Sequence, residues 1–73
     1  MPKLPVISGR DAVKAFSRAG WRAIRQHGSH VMMEKPGREE VLSVPQHGEL
    51  RRGTLRALLR TAGITVDEFA RLK

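Results

Sequence analysis

The 73-residue sequence has no cysteine and no tyrosine, and its aromatic residues are one tryptophan and two phenylalanines. The lack of cysteine excludes disulfides, thiolate nucleophiles and cysteine-ligated zinc. It fits a cytoplasmic protein, since disulfides belong to oxidising compartments. No apolar run approaches the roughly 18 residues of a membrane span, and no signal-peptide core stands near the start, so neither a membrane span nor a signal peptide is expected. Acidic residues are scarce as well: seven Asp and Glu stand against fourteen Lys and Arg, a formal net charge of +7. Such an excess points to a polyanionic partner: nucleic acid, an acidic protein or an anionic membrane surface, the last disfavoured because the charged first helix has a narrow apolar face better used in the core. Size sets a further bound. A chain this short buries only about 60% of its unfolded surface, so residues 1–73 are one module. A deep enclosed pocket does not fit in it, and any active site should be shallow.

The order of local signals predicts an α+β fold. Met1-Pro2-Lys3-Leu4-Pro5 reads as an extended lead-in. Ser8 and Asp11 frame a capping box, and Ala12, Val13, Phe16 and Ala19 line one face of a helix over roughly 9–19, ended by Gly20. Three short strands follow, at Trp21–Gln26 (its alternation imperfect), Val31–Met33 and Glu40–Val44, the last stopped by Pro45. His27-Gly28-Ser29 supplies the first turn. Lys35-Pro36-Gly37-Arg38 supplies the second, with Pro and Gly where a type II turn needs them. Thr54 reads as the N-cap of a second helix with an apolar face of Leu55, Leu58, Leu59 and Ala62, closed by Gly63. Thr65 and Glu68 open a short terminal helix that buries Phe69 and Leu72. This order predicts a three-stranded antiparallel meander with helices on one face. Met32 and Met33 are adjacent on a strand, so one of them should point away from the helices.

The candidate chemistry lies in histidine and arginine. Imidazole is the side chain that takes and returns a proton near neutral pH. His27 and His30 flank the first turn and His47 follows the third strand. A histidine in a polar turn is ordinarily a solvated residue. The small Gly28-Ser29 approach, however, leaves His30 at a strand edge that a polymer can reach. His27 and His30 have no convincing third and fourth zinc ligand, and no metal or other cofactor is expected. Arg52, Arg56 and Arg60 recur every four residues and align along a helix, with Arg51 extending the cluster into the loop. A solvated outer face usually carries interspersed acids, which are few here. Guanidinium groups match phosphate geometry, so backbone contact with RNA is the expected role. The few aromatics are placed for core packing, which disfavours recognition by base stacking.

Ser8-Gly9, Gly20-Trp21, Arg25-Gln26-His27-Gly28-Ser29-His30, Val44-Pro45-Gln46-His47-Gly48 and Gly53-Thr54-Leu55-Arg56 together closely resemble the HicA family, mRNA interferase toxins of HicA–HicB toxin–antitoxin modules. The similarity runs from about Pro2 to Leu72. It implies a fold similar to the double-stranded-RNA-binding domain and metal-independent cleavage of mRNA. The essential histidine of Gly-Ser-His corresponds to His30. It also implies a HicB antitoxin that covers the site and supplies operator DNA binding. After His30 the chain departs from the family pattern, with Val31-Met32-Met33-Glu34 where polar, basic or aromatic residues are common. RNA contact is therefore expected to rest on Lys35 and on Arg51, Arg52, Arg56 and Arg60. RNA carries its own nucleophile in the 2′-hydroxyl, so His30 would serve as general base or general acid. His47 or a water would take the second proton, unless His47 only holds its loop. Two other readings stand beside this one: a non-catalytic RNA-binding module, and a protein whose charge serves only to dock an acidic partner.

Overall fold

The computed structural model describes residues 3–73, so the Met1-Pro2 part of the expected lead-in lies outside the described residues. The order is α1 (Gly9–Arg18), β1 (Arg22–His27), β2 (His30–Glu34), β3 (Leu42–Pro45), α2 (Arg52–Ala62) and α3 (Val66–Leu72). The strands form one antiparallel sheet in the order β1-β2-β3. This is the α+β arrangement expected from the sequence.

The helix ends are built by the residues that mark them in the sequence. At the start of α1 the Ser8 hydroxyl accepts the Asp11 backbone N–H at 3.0 Å, which satisfies one of the donors a helix start leaves free. At its end Gly20 takes a positive φ of 98°, and the Trp21 and Gly20 N–H groups donate to the Phe16 and Ser17 carbonyls. This is a Schellman motif, and it turns Trp21 inward beneath the helix. Gly63 closes α2 in the same way, with Ile64 bonded back to Leu59. Trp21 is consequently buried in the core ahead of β1, and the strand begins one residue later than the sequence suggests.

Two other boundaries differ from expectation. Helix α2 starts at Arg52, with Arg51 at the N-cap and no side-chain cap, so Thr54 lies inside the first turn and is not the cap. The cause is tertiary. Leu50 is buried and its N–H donates to the Ile7 carbonyl, which fixes the chain direction before Thr54 is reached. Strand β3 runs from Leu42 and includes Pro45 as its last residue, leaving Glu40 and Val41 outside. Proline is tolerated there because β3 is an edge strand that gives up no ladder bond on its open side.

The core lies between the sheet and the helices. Phe16, Trp21, Met33, Leu42, Val44, Leu55 and Phe69 are its largest fully buried side chains. Each contributes about 1.5–3 kcal/mol through apolar area removed from water. Phe16 of α1 meets Phe69 of α3 at 5.2 Å between ring centroids, and Arg18 donates to the Leu72 carbonyl at 2.6 Å. Ala15 is fully buried beside Phe16, widening the apolar face read from the sequence. Leu72 is only partly buried, against the rim of the core.

The reciprocal Thr65–Glu68 capping box of α3 predicts a specific acid sensitivity. Hydrogen bonds from the Thr65 backbone and hydroxyl, helped by the Arg71 charge, hold the exposed Glu68 carboxyl below its ordinary value of 4.5. A lowered carboxylate favours the folded state above the unfolded-state value, and that contribution fades as pH falls through the lower native value. Melting temperature should therefore decline on acidification below about pH 4.5, and Glu68→Gln should flatten the decline while keeping the box geometry. Melting curves from pH 3 to 6 on both proteins check this. An identical acid decline in Glu68→Gln would remove Glu68 as its source.

Candidate functional site

The site starts from a two-residue turn. Gly28 has a φ of +61° while Ser29 stays at negative φ, the signs of a type II′ hairpin turn, whose first position requires glycine. A turn this tight makes the flanking residues direct partners: His27 lies opposite His30, Gln26 opposite Val31 and Arg25 opposite Met32. Alternation along β2 sends Val31 and Met33 into the core and leaves His30 and Met32 on the sheet face away from the helices. Met32 is therefore the methionine that points outward, and it is half-buried there.

On β1 the register shifts between Ala23 and Arg25, so Ile24 is the extra residue of a β-bulge. This explains the imperfect alternation of that segment. Ala23, not Ile24, meets Met33, and Ile24 is 46% exposed.

The open face carries a shallow cavity of about 320 Å³ lined by Arg25, His27, His30, Met32 and Ser43. His30 is half-buried on the central strand, between His27 on β1 and Pro45 on β3. Glu34, the acid of β2, lies at its far end opposite Arg22.

Three backbone bonds draw other elements to the His30 end. Gln46 N–H donates to the Ser29 carbonyl at 2.6 Å, Gly9 N–H to the His47 carbonyl at 2.9 Å, and Leu50 N–H to the Ile7 carbonyl at 2.8 Å. The hairpin turn, the loop through His47 and the start of α1 are thereby joined, and α2 begins beside them. Arg51 and Arg52 are exposed at this end. Arg56 and Arg60 continue the stripe one and two helical turns further on, about 6 Å of rise per four-residue step.

Lys35 lies elsewhere. It follows Glu34 at the opposite end of β2, about 16 Å along the chain from His30 at roughly 3.3 Å per residue. Its side chain folds against Gly20 and lines a separate cleft with Arg38 and Gly63. His47 is exposed, with its carbonyl engaged by Gly9, and stands outside the cavity that His30 lines.

Of the other residues of the cavity, Arg25 was not singled out from the sequence, and His27 was weighed there among the three candidate histidines but not placed in the site. The signal for both is the hairpin itself: two residues between His27 and His30 make them partners, and Arg25 follows by alternation. A second basic stripe, Arg10, Lys14 and Arg18, lies exposed along α1 at the same four-residue spacing as that of α2. Among the described residues, no three His, Asp or Glu side chains gather into a metal-ligand cluster. No helix among them is long and apolar enough to cross a membrane.

Comparison with known proteins places these features. The sequence model of a family described as HicA toxin of bacterial toxin–antitoxin matches residues 9–64. Among solved structures, a chain of a toxin–antitoxin complex from Streptococcus pneumoniae is similar at 34% identity and a TM-score of 0.70. The similarity covers 80% of this chain and 98% of that one. No curated protein matches.

Proposed function

The chain belongs to the HicA toxin family, and from that membership we propose that it is an endoribonuclease that cleaves mRNA without a metal, His30 acting as an acid–base group. The observation that carries this reading is the cavity on the open sheet face, which the His30 imidazole and the Arg25 side chain both line. Cleavage of RNA needs little more. The 2′-hydroxyl attacks the adjacent phosphorus, the phosphorane gathers negative charge, and the 5′-oxygen leaves. A neutral imidazole assists the first event by taking the 2′ proton. A guanidinium fixed beside the phosphate stabilises the charge that develops.

Binding of the polymer is assigned to the basic residues around this end. Arg51 and Arg52 are the nearest of the α2 stripe, with Arg56 and Arg60 carrying the contact outward along the helix. Lys35, at the end of β2 away from the hairpin, serves a strand that runs the length of the sheet. An antitoxin of HicB type is the proposed partner. The open face suits it, being basic through Arg22 and Arg25 and partly apolar through Ile24 and Met32. An acidic protein laid across it would cover His30 and compete with RNA. The similar chain from Streptococcus pneumoniae comes from a toxin–antitoxin complex, which supports that pairing.

The chemistry predicts its products. Purified chain incubated with single-stranded RNA in EDTA should leave 2′,3′-cyclic phosphate and 5′-hydroxyl ends, read by end-labelling with and without prior dephosphorylation. Fragments with 5′-phosphate ends, or activity abolished by EDTA, would contradict the scheme.

A further inference from the structure

Cleavage by this route needs two proton transfers, one from the 2′-hydroxyl and one to the departing 5′-oxygen, and a single imidazole does not serve both efficiently in one step. The hairpin supplies a second imidazole beside the first. His27 and His30 are Cα partners across Gly28-Ser29. Directly opposed residues project from the same face with Cβ atoms about 4.5–5.5 Å apart. Both rings line the one cavity, together with Arg25. His47, the alternative second group, is not among its lining residues.

The groups facing the pair are few. From β1 comes Arg25, with Arg22 further along opposite Glu34 of β2. From β3 come Ser43 and Pro45, both uncharged. In the hairpin itself the Gln26 amide donates to the Gly28 carbonyl at 3.2 Å. The helices pack against the other face of the sheet, and no Asp or Glu is among the residues that line the cavity.

We infer that His27 and His30 are the two acid–base groups of the reaction, with Arg25, two residues before His27 on the same sheet face and opposite Met32, on the phosphate. The inference rests on the ribonuclease reading above. His30, half-buried on the central strand, takes the 2′ proton as the 2′-oxygen bonds to phosphorus. His27, exposed on the edge strand, gives its proton to the 5′-oxygen as the P–O5′ bond breaks. The products are the 2′,3′-cyclic phosphate and a 5′-hydroxyl, and the two imidazoles regain their starting states by exchange with solvent. No oxidant, metal or external nucleophile enters the balance.

The test uses an RNA with sulfur in place of the bridging 5′-oxygen, because a thiolate leaves without a proton. His27→Ala should cut ordinary RNA about 10²-fold or more slowly. It should lose the alkaline limb of the bell-shaped pH–rate profile, and it should recover near wild-type cleavage on the 5′-sulfur substrate. His30→Ala should be slow on both substrates. A His27→Ala protein that keeps both limbs, or that is equally slow on the sulfur substrate, overturns the inference. So does a His47→Ala protein that shows the rescue instead. Full activity in His30→Ala is a different failure, because it removes the ribonuclease reading itself.

Discussion

Replacing His30 with alanine should lower RNA cleavage by at least about 10²–10⁴-fold, the range that a positioned acid–base group supplies, while RNA binding stays near wild type. The two effects separate because different parts of the molecule carry them. The imidazole lines a surface cavity, whereas the arginines of α2 lie outside that cavity. Phosphate contacts set the salt dependence of binding, with a slope of about 0.7 per neutralised phosphate on single strands. His30→Ala should leave that slope unchanged in fluorescence titrations at several salt concentrations. The non-catalytic RNA-binding reading makes the opposite claim about cleavage: no RNA-degrading activity exists for the substitution to remove. A protein that docks an acidic partner without touching RNA would show neither cleavage nor binding at physiological salt.

A large loss of stability should come from a residue with no side chain at all. Gly9 is buried at the first position of α1, and its N–H donates to the His47 carbonyl. A Cβ at this position would sit on the Pro45 carbonyl oxygen, with the Pro45 carbonyl carbon at 2.8 Å and Gln46 Cα at 2.9 Å. All three atoms are backbone, so no rotamer change relieves the clash. Either α1 or the loop after β3 must move. Gly9→Ala should therefore cost about 3 kcal/mol, at the upper end of overpacking penalties. In a domain of this size that corresponds to a melting temperature lower by roughly 12–24 °C. Gly53→Ala is the contrasting case. Nothing lies within 4 Å of its Cβ position inside α2, so alanine should add about 0.5–1 kcal/mol through helix propensity. Thermal unfolding of the two variants compares them directly, and a Gly9→Ala protein melting with wild type would show that the helix start does not need this close approach.

How much of this could be read from the sequence depended on whether a signal is local. Ser8, Gly20, Gly63 and the Thr65–Glu68 pair act on hydrogen bonds within a few residues of themselves, and each sits where its chemistry marks it. The start of α2 is not local: it is set by Leu50 pairing with Ile7, more than forty residues earlier in the chain. The bulge at Ile24 and the burial of Trp21 beneath α1 likewise depend on what the strand and helix meet across space. For the site, His30 was legible because Gly28-Ser29 advertises a tight turn. Its neighbours His27 and Arg25 follow from that same turn once the pairing it enforces is drawn. The separation of Lys35 from His30 was hidden by sequence proximity, since the five residues of β2 between the two turns hold them at opposite ends of a strand.

The central claim is that His30 makes this small basic fold an RNA-cleaving toxin. It is tested most directly by inducing the wild-type chain and His30→Ala in separate bacterial cultures while following growth and RNA 5′ ends together. The expected result is growth arrest with new 5′-hydroxyl ends in mRNA for the wild type, and normal growth with intact mRNA for His30→Ala at equal protein level. Growth arrest and RNA cleavage that persist undiminished in His30→Ala would contradict the account.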